Sequence, residues 1–320
     1  MEKIMKNPVV LCVIPVHDRP RELETLLESL ARVETKSATL KIAIVDDGSP
    51  TPLRPIVETR FPHLASQLNF FRNDVSKGPG SARNLAVNSL ESDFIWFLDS
   101  DTEVGNPKVM DHMVEKLLTN PSIAAAGGPI EMVTGEKLIQ QSHALANFLF
   151  IYSSHQCDQF PPTQPDTLSS CNLLIKREHF NSVGGFDTSL KMNEDAELSL
   201  ALRSKGLSLY QSADTVIFHH VALTGRESGF FEHFRQFQAY VYDVFRARIY
   251  IICKYNPKIL WFLPILDLFV MLLIFINVKR GVYTIYRINI ASSGSIFFRI
   301  WILFKAYIKT YISGIRTLLS

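Results

Sequence analysis

Short apolar runs alternate with amphipathic stretches through the first hundred residues. Val9-Val10-Leu11-Cys12-Val13-Ile14-Pro15 predicts a strand, and Arg21 to Val33 carries Leu23, Leu26, Leu27 and Leu30 at helical spacing. Leu40 to Val45 predicts a second strand, ended by Asp46-Asp47-Gly48-Ser49-Pro50. Leu68 to Arg72 predicts a third, Ser81 to Leu90 a helix, and Asp93 to Leu98 a buried strand rich in aromatic residues. Strand followed by helix, repeated, predicts an α/β fold with parallel pairing and right-handed crossovers. No internal repeat is evident. Further on, Leu138 to Tyr152 predicts an apolar helix, and Phe160 to Asp166 a loop, because its three prolines break regular structure. Ala196, Leu198, Leu200, Ala201 and Leu202 predict a helix with Asn193 as N-cap and Lys205-Gly206 at its end. Thr215 to Phe218 predicts a strand running into His219-His220.

Each early strand ends in residues with chemical potential. Pro15-Val16-His17-Asp18-Arg19 follows the first and Asp46-Asp47-Gly48-Ser49 the second. Lys77-Gly78-Pro79-Gly80-Ser81-Ala82-Arg83-Asn84 opens a helix, where glycine permits close backbone approach and the helix N-terminus favours an anion. Asp99-Ser100-Asp101 follows the buried strand, so two carboxylates stand at the carboxyl edge of a sheet, where open α/β folds bind ligands. Two acids that close repel unless a cation or donors hold them, and hard oxygen ligands suit Mg²⁺ or Mn²⁺ carrying a phosphate-bearing substrate. Singly, each of these is a plain turn or helix start. Together at one edge of one sheet they describe a site.

With Val13-Ile14-Pro15-Val16-His17-Asp18-Arg19, Val45 to Ser49, Gly78 to Asn84, Phe97 to Asp101, Gly184-Gly185-Phe186-Asp187, Asn193-Glu194-Asp195 and His219-His220 in this order, the chain resembles the family 2 glycosyltransferases of GT-A fold over roughly residues 9 to 225. His17 and Asp18 stand where that family more often has Tyr and Asn. The resemblance implies that Pro15, His17, Asp18 and Asp47 line the nucleobase pocket, with Asp47 accepting from uracil. It implies that Gly78 and Arg83 lie near the ribose and phosphates, that Asp99 faces ribose and metal, and that Asp101 ligates the metal. Gly185, Phe186 and Asp187 would form an acceptor-side loop, although Asp187 also suits a turn or cap. His219 would be a supplementary ligand, with His220 as the alternative.

Acids in a first helical turn often serve only the dipole. Alongside the upstream motifs, Asp195 becomes the candidate general base and Glu194 the second choice. One base and one Mn²⁺ or Mg²⁺ suffice for inverting transfer from a nucleoside-diphosphate sugar, UDP-linked by preference, with no covalent sugar intermediate. The Gln-x-x-Arg-Trp signature of processive members is replaced by Arg235-Gln236-Phe237-Gln238-Ala239-Tyr240, which implies one or few sugars per encounter. A sugar nucleotidyltransferase, the runner-up enzyme, would carry a glycine-rich start after the first strand, and Pro15 to Pro20 has no glycine. A silent, membrane-bound scaffold of the same fold is the non-enzymatic alternative, and the acids at 99, 101 and 195 argue against it.

Charge changes the picture at the end of the chain. From Val244 onward eleven Lys and Arg face one acid, Asp267, a net +10, leaving −8 for the remainder of a chain whose total is +2. That tail is also apolar: Ile259 to Val278 is long enough to span a bilayer, and Ile296 to Leu319 sets Lys305, Lys309 and Arg316 on one face, as an interfacial helix does. The expected organisation is a catalytic domain over 1–243, with a nucleotide half to about 101 and an acceptor half beyond it, then a membrane-associating region over 244–320. Membrane lipids, the donor and a glycan or lipid-linked acceptor are the expected partners, and nucleic acid is not. The cytoplasmic face of the membrane is the expected location. It fits an N-terminus without an apolar h-region and four cysteines (Cys12, Cys157, Cys171, Cys253) at no disulfide or metal spacing.

Overall fold

The computed structural model describes residues 7–64, 66–134, 137–139, 165, 167–220, 230–231, 234–255, 257–261, 264–265, 289–290, 305, 308–309 and 311–312. The chain divides into two compact units, one of residues 1–143, 154–189 and 194–220, the other of 144–153, 190–193 and 221–320.

The first unit is built on a seven-stranded sheet. β1 (Val9–Val16) pairs in parallel with β2 (Thr39–Asp47) and with β4 (Phe94–Phe97), and β2 with β3 (Leu68–Asn73). Beyond β4 lies β9 (Leu173–Lys176), antiparallel both to β4 and to β6 (Ile123–Gly127); β10 (Ser208–Gln211) closes that edge parallel to β6. The sheet is therefore mostly parallel, with β9 reversed. α1 (Pro20–Leu30), α2 (Arg54–Arg60) and α3 (Pro79–Ser89) connect β1 to β4, and α4 (Val109–Thr119) precedes β6.

The strand sequences are apolar nearly throughout because both faces of the sheet are covered. Along β1, Val10, Cys12 and Ile14 face the cluster holding Leu23, Leu26, Leu27 and Leu30 of α1 and Met110, Met113 and Leu117 of α4. Leu11 and Val13 face the opposite cluster, with Ala82, Ala86 and Val87 of α3 and Leu198 and Leu202 of α6 (Glu194–Ser204). Each buried leucine of α1 contributes about 1.5–3 kcal/mol, which explains why its Leu spacing was a reliable signal.

A second, four-stranded sheet has the order β5 (Thr102–Val104), β11 (Ile217–His220), β7 (Ile130–Thr134), β8 (Lys137–Ile139). Two expectations change here. His219 and His220 belong to the strand instead of following it, because β11 pairs with both β5 and β7 out to these residues. Leu138 and Ile139 are strand and not helix, paired with β7; the rest of the apolar stretch to Tyr152 lies outside the described residues, as does the proline-rich loop apart from Pro165. α5 (Arg177–Ser182) follows β9. Asn193, expected as an N-cap, precedes α6 at φ +59°, in the left-handed region and not the extended one of an ordinary cap. The other end of α6 matches its sequence: Gly206 at φ +77° donates to the Arg203 carbonyl (2.9 Å).

The second unit contains α7 (Phe234–Tyr255), a 3-10 turn over Pro257–Trp261, and a parallel pairing of β12 (Phe230–Phe231) with β13 (Asn289–Ile290). α7 runs across the expected boundary at 243. Among the described residues no helix is long and apolar enough to cross a membrane. The segments 259–278 and 296–319 lie almost wholly outside those residues.

Candidate active site

β4 ends at Phe97, and the turn Leu98 to Asp101 leads straight into β5 of the small sheet. The turn is tied by Thr102, whose amide and hydroxyl both donate to the Asp99 carbonyl (3.2 and 2.7 Å). Asp101 enters the first unit's interior at 3% exposure. Its carbonyl accepts from the His220 amide (2.8 Å), which fixes β11 against the turn. This register brings the His219 imidazole Nε2 to 3.2 Å from Asp101 Oδ1, across 118 positions of sequence. His220 points its ring instead at Glu103, 3.2 Å away. The structure thus separates the two histidines that sequence left as alternatives.

Asp99, Asp101 and His219 offer ligand atoms within 4.8 Å of one another, the one such cluster among the described residues. Two carboxylate oxygens are hard donors suited to Mn²⁺ or Mg²⁺, and the softer imidazole nitrogen favours Mn²⁺ of the two. Burial pushes the Asp101 carboxyl up, but the His219 hydrogen bond and the charge of Arg19 outweigh it, and the group lies below its ordinary value. It is therefore an anion ready for a cation. Arg19 Nη1 donates to the other Asp101 oxygen.

Arg83, expected near the ribose and phosphates, is paired with two carboxylates of its own chain. It is 2% exposed, with Nη1 donating to Glu194 Oε1 (2.8 Å) and Nη2 to Asp99 Oδ1 (2.5 Å), and its guanidinium lies 5.2 Å from the Phe186 ring centroid. The reason is geometric. α3 packs on the sheet with Gly80 against Phe186 and Glu194, so a side chain one helical turn on is enclosed by carboxylates. Glu194 is correspondingly buried at 7%. Burial pushes its carboxyl up, Arg83 opposes this, and Asp195 adds to it, leaving it above its ordinary value. Removing one partner of a buried pair strands the other. Arg83→Met is accordingly expected to lower the unfolding free energy in urea by about 3–5 kcal/mol, and a loss below about 1 kcal/mol would show that Glu194 does not depend on the pair.

Asp195 lies beside Glu194 in the first turn of α6 but is engaged differently. Its Oδ2 accepts from the Ser170 amide (3.1 Å) and its Oδ1 from the Ala196 amide (2.8 Å). Backbone donors thus hold a carboxylate in one orientation while spare lone pairs remain. Ser170 belongs to a 3-10 turn entering β9, a contributor that sequence did not suggest. Cys171 in the same turn is buried, and burial with the charges of Asp99, Asp195 and Asp101 raises its thiol well above the ordinary range, so it stays neutral.

The donor-side loop is held by aspartates. Asp46 accepts from the Ser49 and Leu53 amides (2.9 and 3.3 Å) and from Arg72. Asp47 accepts from Asn73 Nδ2 (2.7 Å), Ser76 Oγ (2.8 Å), the Lys77 amide (3.0 Å) and the Gly78 amide (2.9 Å). These bonds overcome burial and keep its carboxyl below its ordinary value. Asp47, the residue expected to accept from uracil, thus has donors of its own chain at both oxygens, and they shape the loop. Gly48 at φ +78° has no room for a Cβ, which would lie 2.6 Å from the Ser76 amide nitrogen. Gly78, at φ +90°, is the cap residue of α3. His17 is exposed, with Nδ1 2.9 Å from the Asp47 carbonyl; Asp18 is exposed beside it, and Pro15 is half-buried.

The expected acceptor-side loop is partly core. Phe186 is 3% exposed and stacks edge-on against Phe97 and Phe180. The Asn84 side chain clamps its backbone, Nδ2 donating to the Phe186 carbonyl (2.8 Å) and Oδ1 accepting from its amide (3.0 Å). Gly185 donates to the Phe180 carbonyl (3.1 Å). Asp187 Oδ1 accepts from the Ser189 amide (2.9 Å), a local turn. Phe186 fills the core because its aromatic neighbours complete the cluster behind β4.

The pre-mycofactocin glycosyltransferase of Mycobacterium tuberculosis is 27% identical over 214 residues, 66% of this chain and 42% of that protein. The O-antigen biosynthesis protein RfbC of Myxococcus xanthus is 25% identical over 239 residues, 69% of this chain and 18% of that protein. The chain thus spans less than half the length of either. The mannosyltransferase PcManGT of Pyrobaculum calidifontis, solved with GDP-Man and Mn²⁺, superposes with a TM-score of 0.60 at 14% identity, covering 98% of this chain and 88% of that one. S. aureus TarS 1–349 with UDP-GlcNAc gives 0.55 at 18%, covering 77% and 67%. These two likenesses show the fold. The sequence profile of glycosyl transferase family 2 matches residues 11–184, more than half of the chain, and with the α/β sheet and the acidic turn after β4 it establishes that this protein belongs to that family.

Proposed function

We propose that the protein is an inverting, metal-dependent transferase that moves a sugar from a UDP-sugar to a hydroxyl of a lipid-linked or cell-envelope glycan. The observation that carries this reading is the convergence of Asp99, Asp101 and His219 within 4.8 Å. Mn²⁺ or Mg²⁺ held there would neutralise the charge that develops on the leaving diphosphate. Asp195, oriented by two amides, accepts the proton of the acceptor hydroxyl as that oxygen attacks the anomeric carbon. Glu194, ion-paired to Arg83 and buried, positions the start of α6 and is not the base. The loop shaped by Asp47 receives the nucleotide, with the amides at the start of α3 near its phosphates.

UDP is favoured because TarS was solved with UDP-GlcNAc, although PcManGT was solved with GDP-Man. The envelope acceptor is supported by relatives named as an O-antigen biosynthesis protein and as a poly(ribitol-phosphate) β-N-acetylglucosaminyltransferase. The basic tail from Val244 suits the anionic cytoplasmic leaflet. The test is a panel of UDP-, GDP- and dTDP-sugars, read by Mn²⁺-dependent hydrolysis and by melting temperature, with acceptor products sized by mass spectrometry. A UDP-sugar is expected to raise the melting temperature only with Mn²⁺, and products are expected to be one or few sugars longer. Stabilisation by no nucleotide sugar would overturn the reading, and a ladder of long products would overturn non-processive transfer. Fractionation after a high-salt wash tests the location: full-length protein remaining in the supernatant would remove the membrane from the proposal.

A further inference from the structure

Two side chains of α6 grip one short piece of chain. Asp195 Oδ2 accepts from the Ser170 amide (3.1 Å), and Ser199 Oγ accepts from the Leu168 amide (3.0 Å). Asp195 and Ser199 stand four positions apart, so they share a face of the helix and are about 6 Å apart along its axis. Ser169, between the two amides, is extended at φ −79° and ψ 137°. Amides two residues apart in extended chain are separated by about 6–7 Å. The two spacings match, and the segment docks on α6 at two points.

Both donors and the serine are buried. The Leu168 side chain packs in the apolar cluster with Leu198 and Leu202 of α6, which fixes where the segment lies. How its peptides are turned is set by the amide hydrogen bonds. A buried amide requires an acceptor. Without the Ser199 hydroxyl the Leu168 amide is stranded, and the segment relaxes by turning that peptide towards another acceptor. The Ser170 amide, two residues on, turns with it and leaves Asp195. The carboxylate then keeps one amide, that of Ala196 on Oδ1 (2.8 Å), and is free to rotate about it.

Resting on the reading of Asp195 as the general base, we propose that Ser199 is a positioning residue for it. Its hydroxyl sets the turn of the 168–170 segment, and through the Ser170 amide that segment aims the carboxylate at the attacking hydroxyl.

The experiment uses the full chain. Turnover is read as Mn²⁺-dependent hydrolysis of UDP-GlcNAc, or of the nucleotide sugar that the donor panel selects, with water in place of the acceptor hydroxyl. Nucleotide affinity is read by calorimetry with UDP and Mn²⁺. In Ser199→Ala turnover is expected to fall about tenfold, the effect of a misplaced group, while the dissociation constant of UDP stays within about twofold. Ser199→Thr, which keeps the oxygen, should remain within about threefold of wild type. Groups that act as a unit are not additive. In an Asp195→Asn background, Ser199→Ala should therefore lower turnover by less than about twofold further, while it lowers the melting temperature equally in both backgrounds. A further tenfold loss there, a Ser199→Ala enzyme as fast as wild type, a Ser199→Thr enzyme as slow as Ser199→Ala, or UDP binding that weakens in step with turnover overturns the positioning role and leaves the base in place. Asp195→Asn hydrolysing within tenfold of wild type, or a wild type that hydrolyses no nucleotide sugar, overturns the base itself and the positioning with it.

Discussion

Asp101→Asn should reduce transfer by about 10³-fold or more, the equivalent of losing several kcal/mol of charge stabilisation at the leaving diphosphate. The carboxylate is the most deeply buried of the three candidate ligands, and it lies below its ordinary value despite burial, so its charge is what the surrounding groups are arranged to keep. The amide preserves shape and removes charge. Mn²⁺-dependent stabilisation by the nucleotide should disappear with activity, while the melting temperature in EDTA shows whether the fold survives. Activity within tenfold of wild type would remove Asp101 from the chemistry.

Asp195→Asn should separate binding from reaction. Donor affinity is expected to stay within a few-fold, because Asp195 touches the Ser170 turn and its own helix and not the donor-side loop. Turnover is expected to fall by about 10²–10⁴, the range for loss of a general base. Calorimetry with the donor nucleotide and single-turnover transfer measure the two quantities separately. A collapse of donor binding would show that Asp195 holds structure, and Glu194→Gln would then become the informative variant.

Much of the fold was legible in local pattern. β1 and β2 read as apolar runs because both sheet faces are covered, and α1 declared itself by four leucines at helical spacing. β6 did not, because after Ile123 its residues Ala124-Ala125-Ala126-Gly127 disfavour a strand, and the segment pairs with β9 and β10 all the same. α4 was available at Val109, Met110, Met113, Val114 and Leu117, and only its periodicity had to be counted. At the site, the identity of the acidic turn could be read, whereas the partners of its members could not. Asp101 meets His219 across 118 positions and Arg83 meets Glu194 across 111, distances no spacing rule spans. Arg83, Asp47 and Phe186 were each expected beside a ligand, and what sequence could not supply is the set of internal partners each also has, through which the protein satisfies buried charge, hydrogen-bonding capacity and apolar area.

The reversal of β9 has a consequence for how such a protein can diversify. A strand running with its neighbours would begin at the far edge of the sheet; β9 begins at the edge where β4 and β6 end. Gly127, the last residue of β6, is the register partner of Leu173, the first of β9. The chain between them therefore leaves and re-enters the sheet at adjacent points, both on the catalytic side. That stretch carries β7, β8 and the Ser170 turn, and between such fixed points doubling the length of a connection costs only about 0.6 kcal/mol. Sequence inserted between those elements shifts no backbone pairing of the large sheet. The architecture thus keeps a fixed donor-side scaffold and sets beside it a stretch of chain open to rapid evolutionary change.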